Sequence, residues 1–311
     1  MFKSGYIAII GRPNAGKSTL LNSIVDTELS IVTPKAQTTR DQVQGILTEP
    51  EGQIVFIDTP GIHQARMGGI NEHMVSEAKG ALDAPDLIWY LIDPSSKLAH
   101  ETAVIDLLEK APRTPLILLI NKIDEVEKRK WALQVDELEK NVREALIERG
   151  ILFQATRRIS ARKKEGTLSL LKESWNFIPV GQAFYPDSEQ VSDRPTKFFV
   201  AEKIRERLFY LLGDELPYSC AVEIESFNET SQPIRIEATI YVERESQKGI
   251  VIGNQGSKIK EIGQGARQEI EKFLGEKIFL GLKVKLLRQW TQNKEGLQKA
   301  GYHASSKRRS G

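Results

Sequence analysis

The stretch GRPNAGKST, residues 11–19, directly follows the apolar run YIAII at 6–10 and leads into a segment with helical spacing of its apolar residues. A glycine-rich turn between a buried strand and a helix aims several backbone N–H groups at one spot, with the helix N-terminus behind them. In the pattern G-x-x-x-x-G-K-S that spot suits phosphate oxygens. Gly11, Asn14, Ala15, Gly16 and Thr19 then belong to the cradle, Lys17 reaches the β- and γ-phosphates, and the Ser18 hydroxyl is placed to ligate Mg²⁺. A chain that opens this way is committed to a strand–loop–helix unit, and so to an α/β sheet.

The following residues keep to that commitment. IVFID (54–58), LIWYLID (87–93), LILLIN (116–121) and ILFQA (151–155) are short unbroken apolar runs, as expected of strands buried on both faces of a parallel sheet. Helical patterns lie between strands, at 17–25, 70–80, 100–110 and 132–149. The first domain is therefore expected to be doubly wound, with a mostly parallel sheet, over 1–178. Residues 179–195 hold three prolines and no periodicity, and are read as a linker. A second α+β domain is expected over 196–290: a helix at 197–212, strands at 220–227 and 234–244 that alternate with period two, a glycine loop, a helix at 257–274 and a strand at 277–287. Residues 291–311 are read as a basic tail.

Two further motifs end buried strands. In DTPG (58–61), Asp58 can hold the hydration shell of Mg²⁺ and the Gly61 N–H can meet the γ-phosphate, with Thr59 and Pro60 in the same loop. By itself DTPG is an ordinary β-turn; its distance after the phosphate loop gives it meaning. In NKID (121–124), Asp124 can accept both adjacent donors of guanine, which adenine lacks, so the pairing selects GTP over ATP. Asn121 braces the loop and the Lys122 stem lies on the base. Ser160 and Ala161 fit a loop whose backbone N–H meets the guanine O6.

These motifs, in this order, resemble the translation-factor-related class of P-loop GTPases. That resemblance makes QTTRD (37–41) a switch segment, in which Thr39 ligates Mg²⁺ and senses the γ-phosphate. It also makes Lys17, Thr39 and Gly61 the catalytic candidates. Ile62 stands where Ras-type GTPases carry the glutamine that orients the attacking water. The sequence thus resembles the branch in which an asparagine of the phosphate loop, here Asn14, helps bind K⁺ beside the β/γ bridge. Thr33, Lys35 and Thr38 match the loop positions that complete such a site. No carboxylate occurs between Ile62 and Glu72 to position water; Arg40 is the next candidate for charge stabilisation.

The second glycine loop, GNQG at 253–256, has Ser257-Lys258 after it, the reverse of the order a phosphate loop needs. Its bland reading is a helix–turn–helix with no ligand. A G-x-x-G turn between two helices also resembles the RNA-backbone clamp of KH domains. Gly253, Asn254, Gln255, Gly256, Ser257, Lys258 and Lys260 are then the RNA-binding candidates, with Ile250, Ile252, Ile259 and Ile262 as the groove floor. Nine Lys/Arg against a single acid, Glu295, follow from Lys277 to the end. They read as a solvated tail or as a surface for a polyanion, either nucleic acid or an anionic membrane. Lys283, Lys285, Arg288, Lys307, Arg308 and Arg309 favour RNA.

A GTPase domain of this branch followed by a KH domain resembles the bacterial Era family over nearly the whole chain, with LPYSCAVEIESF (216–227) and VERESQKGIVIGNQGSKIKEIG (242–263) matching closely. The resemblance implies GTP and GDP as ligands, and binding near the 3′ end of 16S rRNA. It also implies a role in assembling the small (30S) ribosomal subunit and partial, peripheral contact with the inner membrane. A membrane-attached signalling GTPase whose basic end binds anionic lipid is the competing expectation. One cysteine and four scattered histidines leave no disulfide and no zinc spacing. With no leader-like start, a cytoplasmic monomer is expected.

Overall fold

The unbroken apolar runs form the middle of a six-stranded sheet in a computed structural model that describes residues 1–35, 37–62, 69–110, 113–213 and 215–302. In chain order the first unit comprises β1 (Lys3–Gly11), α1 (Lys17–Val25), β2 (Val43–Glu49), β3 (Gly52–Asp58), α2 (Gly69–Gly80), β4 (Leu87–Ile92), α3 (Leu98–Glu109), β5 (Leu116–Ile120), α4 (Ile123–Arg129), α5 (Ala132–Glu148), β6 (Phe153–Arg158) and α6 (Thr167–Ser174). The strand order is β2-β3-β1-β4-β5-β6, all parallel except the β2–β3 pair. β1 lies between β3 and β4, where the strand order reverses. In open sheets ligands bind at that switch point, beyond the strand C-termini. The glycine loop and the DTPG turn both leave the sheet there.

Two apolar layers cover the sheet. Leu20 and Leu21 of α1 and Leu170 and Leu171 of α6 pack on one face with Trp175. Val104, Ile105 and Leu108 of α3 and Val135, Leu138, Val142 and Leu146 of α5 pack on the other. The last four recur at three- and four-residue spacing, which places them on one side of α5.

The second unit holds α7 (Thr196–Leu211), β7 (Ala221–Asn228), β8 (Ile234–Val242), α8 (Glu245–Ile252), α9 (Ser257–Leu274), β9 (Ile278–Leu286) and α10 (Lys294–Lys299). Its sheet runs β7-β8-β9, with β7 antiparallel and β9 parallel to β8. Ile262, Ala266 and Ile270 of α9 are fully buried in its core with Ile204 and Leu208 of α7.

Two expectations change. Residues 179–195 form no helix or named strand, but they are strapped to the first unit rather than loose. Ser4 N–H donates to Pro179 O, Gly181 N–H to Phe2 O, and Ile46 N–H of the edge strand β2 to Val191 O. This last contact covers an edge that would otherwise expose unpaired backbone groups. Residues 291–302 are no tail: Trp290 is fully buried and stacks on Tyr302, and α10 packs beside them. Lys307, Arg308 and Arg309 lie outside the described residues. Finally, the two units share apolar contacts. Phe199 at the start of α7 sits in the core of the first unit, a burial of the kind that stabilises by about 1.5–3 kcal/mol.

Candidate functional site

A cleft of about 610 Å³ opens at the C-terminal edge of the sheet, lined by Lys17, Ser18, Thr39, Gly61, Asn121 and Asp124 among others. The sequence reading had these residues on four separate loops. Parallel strands β1, β3 and β5 bring three of those loops to one edge, and the segment before β2 supplies Thr39.

The phosphate end is held open by backbone shape. Gly16 has φ +100°, and a Cβ there would collide with Asn121 Nδ2. Asn14 also takes a left-handed φ of 63°, which asparagine tolerates better than most residues. Lys17, at the first position of α1, is buried. Its Nζ donates to Gly11 O at 3.0 Å and Arg12 O at 2.8 Å. Burial pulls its pKa down to about 8, against the nearby Asp58 and Glu101 carboxylates. A buried lysine whose hydrogen bonds go to carbonyls rather than to a carboxylate favours binding of an anion.

Three oxygens meet beside it. Ser18 Oγ donates to Asp58 Oδ2 at 2.7 Å and lies 3.0 Å from Thr39 Oγ1. Burial raises the Asp58 pKa, opposed by Lys17 and the Ser18 hydroxyl. Its second oxygen, Oδ1, is buried with no hydrogen-bond partner. An unsatisfied carboxylate oxygen next to two hydroxyls is the donor set that a hard divalent cation and its waters complete. These residues therefore fit Mg²⁺.

At the other end Asn121 ties two loops together. Its Nδ2 donates to Ala15 O at 2.8 Å and its Oδ1 accepts from the Ala161 N–H at 2.9 Å. The Ala161 amide is engaged within the protein, and the neighbouring Arg162 also lines the cleft. Ser160 Oγ donates to Asp124 Oδ1 at 2.7 Å and orients the carboxylate. Lys122 has φ 59°, and its Nζ meets Asp93 Oδ2 at 2.5 Å. Asp93 escaped the sequence reading, although a carboxylate ending an apolar strand was a visible signal. Thr59 is turned away, its hydroxyl donating to Ile9 O at 2.8 Å. Only its backbone is available to a ligand. Gly61 packs so closely on Pro13 that a Cβ would collide with the Pro13 nitrogen.

The segment between α1 and β2 is gripped by the second unit. Lys35 Nζ donates to Leu212 O at 2.5 Å, and Tyr210 Oη to Val32 O at 3.0 Å. Arg40 is buried, and its guanidinium points away from the cleft. It donates to Cys220 O, Tyr302 Oη and Tyr218 O at 2.7–2.9 Å. Arg40 thus joins the two units here and does not face a nucleotide. Ile70, at the start of α2, donates its N–H to Thr291 O at 2.8 Å.

The GNQG loop connects α8 to α9. Gly253, Gln255 and Gly256 have φ of 74°, 50° and 77°, and Asn254 and Gln255 project into solvent. A Cβ on Gly253 would lie 2.6 Å from Lys258 Cβ, so only glycine fits. Ser257 opens α9 and Lys260 is exposed, while Lys258 pairs with Glu261 at 2.8 Å. Ile250 is exposed, and Ile252 and Ile259 are half-buried, as a groove floor would be. Ile262 is not part of it, because helical spacing turns it toward the sheet with Ala266 and Ile270. Lys283 and Lys285 of β9 face Glu225 at 3.9 and 2.6 Å, so their charge is partly met within the domain.

A family model described as a 50S ribosome-binding GTPase matches residues 6–122, and a KH domain model matches 215–291. The chain is 43% identical over 309 residues to GTPase Era of Geotalea uraniireducens, covering 97% of this chain and 98% of that one. It is 40% identical to GTPase Era of Carboxydothermus hydrogenoformans with the same coverage. Among solved structures, Era in complex with MgGDPNP and nucleotides 1506–1542 of 16S ribosomal RNA superposes with a TM-score of 0.89 at 35% identity, over 97% of this chain and 99% of that one. An Aquifex aeolicus Era variant bound to GDP·AlF₄⁻ superposes with a TM-score of 0.87 at 35% identity and the same coverage.

Proposed function

The chain belongs to the GTPase Era family and hydrolyses GTP, and on that premise we propose that it is a switch whose GTP-bound state binds 16S ribosomal RNA during assembly of the small subunit. In this reading residues 1–178 form the GTPase domain and 196–290 the RNA-binding domain. The observation that carries it is the full-length likeness to an Era that holds MgGDPNP and 16S rRNA together, joined to the two separate devices described above.

In the cleft, Lys17 and the loop amides take the phosphates, and Asp124 and the loop after Ser160 take the guanine. Ser18, Thr39 and Asp58 would hold Mg²⁺, which when bound neutralises charge on the β- and γ-phosphates. Thr39 and Gly61 lie where the γ-phosphate end falls, so its presence or loss is felt by both switch segments.

The proposal extends to K⁺. Asn14 Nδ2 lies 3.4 Å from Pro34 O, next to Thr33 and Lys35, so the loop asparagine and the expected cation loop are already adjacent. A monovalent cation there would supply the positive charge that other GTPases take from an arginine. Turnover is expected to be higher in K⁺ than in Na⁺ or Li⁺, and Asn14→Ala should abolish the difference with little effect on GDP affinity. Equal turnover in the three salts sinks this part.

The RNA assignment is tested at the clamp. Asn254→Asp combined with Gln255→Asp places two negative charges at exposed turn positions, and aspartate tolerates the left-handed φ at 255. Stability should change by no more than about 0.5 kcal/mol. Affinity for the 3′-end segment of 16S rRNA should fall at least tenfold in filter binding, with a shallower salt dependence. Basal hydrolysis should persist. Unchanged RNA binding would make the loop only a turn. Membrane association, the other reading of the basic end, predicts co-sedimentation with anionic vesicles in the absence of RNA. Among the described residues no helix is long and apolar enough to cross a membrane.

A further inference from the structure

One residue of the nucleotide cleft comes from the other domain. Tyr210, on the last turn of α7, lines the cleft together with Ile31, Val32 and Thr33. Its hydroxyl donates to Val32 O at 3.0 Å, and half of its surface is exposed. It is about 90 residues beyond NKID, and no local pattern marks it.

Its position follows from the face α7 presents. Lys203, Glu206 and Tyr210 are spaced three and four apart and so share one side of the helix. All three meet the segment between α1 and β2. Lys203 Nζ pairs with Glu28 at 2.8 Å, burial raises the Glu206 pKa against the opposing Lys203 charge and Val32 amide, and Tyr210 holds the Val32 carbonyl. Residue 32 is thus held at both its N–H and its C=O by α7. The tyrosine is in turn backed by α9, the helix that starts at the GNQG loop. Arg207 lies 5.9 Å from the Tyr210 ring centroid, and its guanidinium pairs with Glu269 of α9 at 2.8 Å.

The cleft has a phosphate end at Lys17 and Ser18 and a base end at Asn121 and Asp124. Ile31, Val32, Thr33 and Pro34 line the cleft as well, and Tyr210 is tied to that segment at Val32. The part of a nucleotide that lies between its phosphates and its base is the ribose. We infer that Tyr210 is a nucleotide-contact residue supplied by the RNA-binding domain, and that its ring covers the ribose side of bound GTP and GDP. This assignment rests on the cleft being the guanine-nucleotide site. It makes the lifetime of the nucleotide depend on the docking of the second domain, through the chain Glu269–Arg207–Tyr210–Val32.

The test compares release of GDP and of GDP carrying a bulky N-methylanthraniloyl group on the ribose. The parent, Tyr210→Phe and Tyr210→Ala are measured in the full chain. Tyr210→Ala is expected to release GDP about tenfold faster, the effect of losing roughly one good contact. The same variant should retain the ribose-modified GDP as well as the parent does or better, because removing the ring makes room. Tyr210→Phe keeps the ring and loses only the tether to Val32, so it should fall between. Thermal melting without nucleotide should match in all three. Unchanged GDP release in Tyr210→Ala overturns the inference. So does an equal loss for both ligands, which would mean a loosened segment and no ribose contact. A parent that binds neither ligand overturns the reading of the cleft as well; a parent that binds both with an indifferent variant overturns only the role of Tyr210.

Discussion

Asp124→Asn is expected to bind GTP about two to three orders of magnitude more weakly than the parent, and to bind XTP better than the parent does. Guanine offers N1–H and the exocyclic NH₂ side by side, and one carboxylate accepts both. Each hydrogen bond to a charged group is worth about 1.5–3 kcal/mol, so losing one acceptor and placing an NH₂ against an NH₂ accounts for the loss. Xanthine carries a carbonyl at C2, which accepts from the new amide. The structure adds a reason to expect a clean exchange. Ser160 Oγ holds Asp124 Oδ1 at 2.7 Å, and asparagine keeps one oxygen that can accept this bond, so the side chain should stay in place. Competition binding with GTP, XTP and ATP measures the three affinities. A variant that still prefers GTP as the parent does would remove Asp124 from base recognition.

The parallel core was readable because burial on both faces leaves a plain mark: IVFID and LILLI are apolar at every position but one, and they became β3 and β5. β2 was not read. It is antiparallel and at the edge, four of its seven residues are only half-buried, and VQGILTE carries no unbroken run. α4 and α6 were passed over for the same kind of reason; Ile123–Arg129 and Thr167–Ser174 are too short for a helical pattern to stand out. At the site, motif spacing located Lys17, Ser18, Asp58, Asn121 and Asp124 because each strand end delivers its loop to one edge. Motifs could not show that the Ala161 amide is spent on Asn121, nor that Ile262 belongs to the core. Above all they could not show domain docking. Tyr210, Arg40 and Tyr302 meet through contacts that span up to 262 positions of the chain, and no local period records such a contact.

Arg40→Ala should uncouple the two domains. The guanidinium reaches Cys220 O at 2.8 Å, Tyr302 Oη at 2.7 Å, Tyr218 O at 2.9 Å and Pro217 O at 3.3 Å. It also lies 5.5 and 5.6 Å from the ring centroids of Trp290 and Tyr302. Truncation leaves these carbonyls without a donor in a buried site, at a cost of roughly 2–4 kcal/mol. Lysine should not rescue, because one compact ammonium cannot span the acceptors that the planar fork meets. The functional consequence follows from a single peptide bond. Arg40 is next to Thr39, whose hydroxyl lies 3.0 Å from Ser18 Oγ. The same short segment therefore faces the cleft with one residue and the KH domain with the next. In the parent, RNA affinity is expected to differ between the GDP-bound and GTP-analogue-bound states. In Arg40→Ala that difference should shrink severalfold, while GDP affinity stays close to the parent's, and amide exchange over 287–302 should quicken. Denaturation, hydrogen exchange and RNA binding in both nucleotide states make the comparison. If the variant melts as the parent does and keeps the full nucleotide dependence of RNA binding, Arg40 is not the residue through which the switch segment holds the second domain, and the neighbouring grips at Lys35 and Tyr210 must carry the coupling instead.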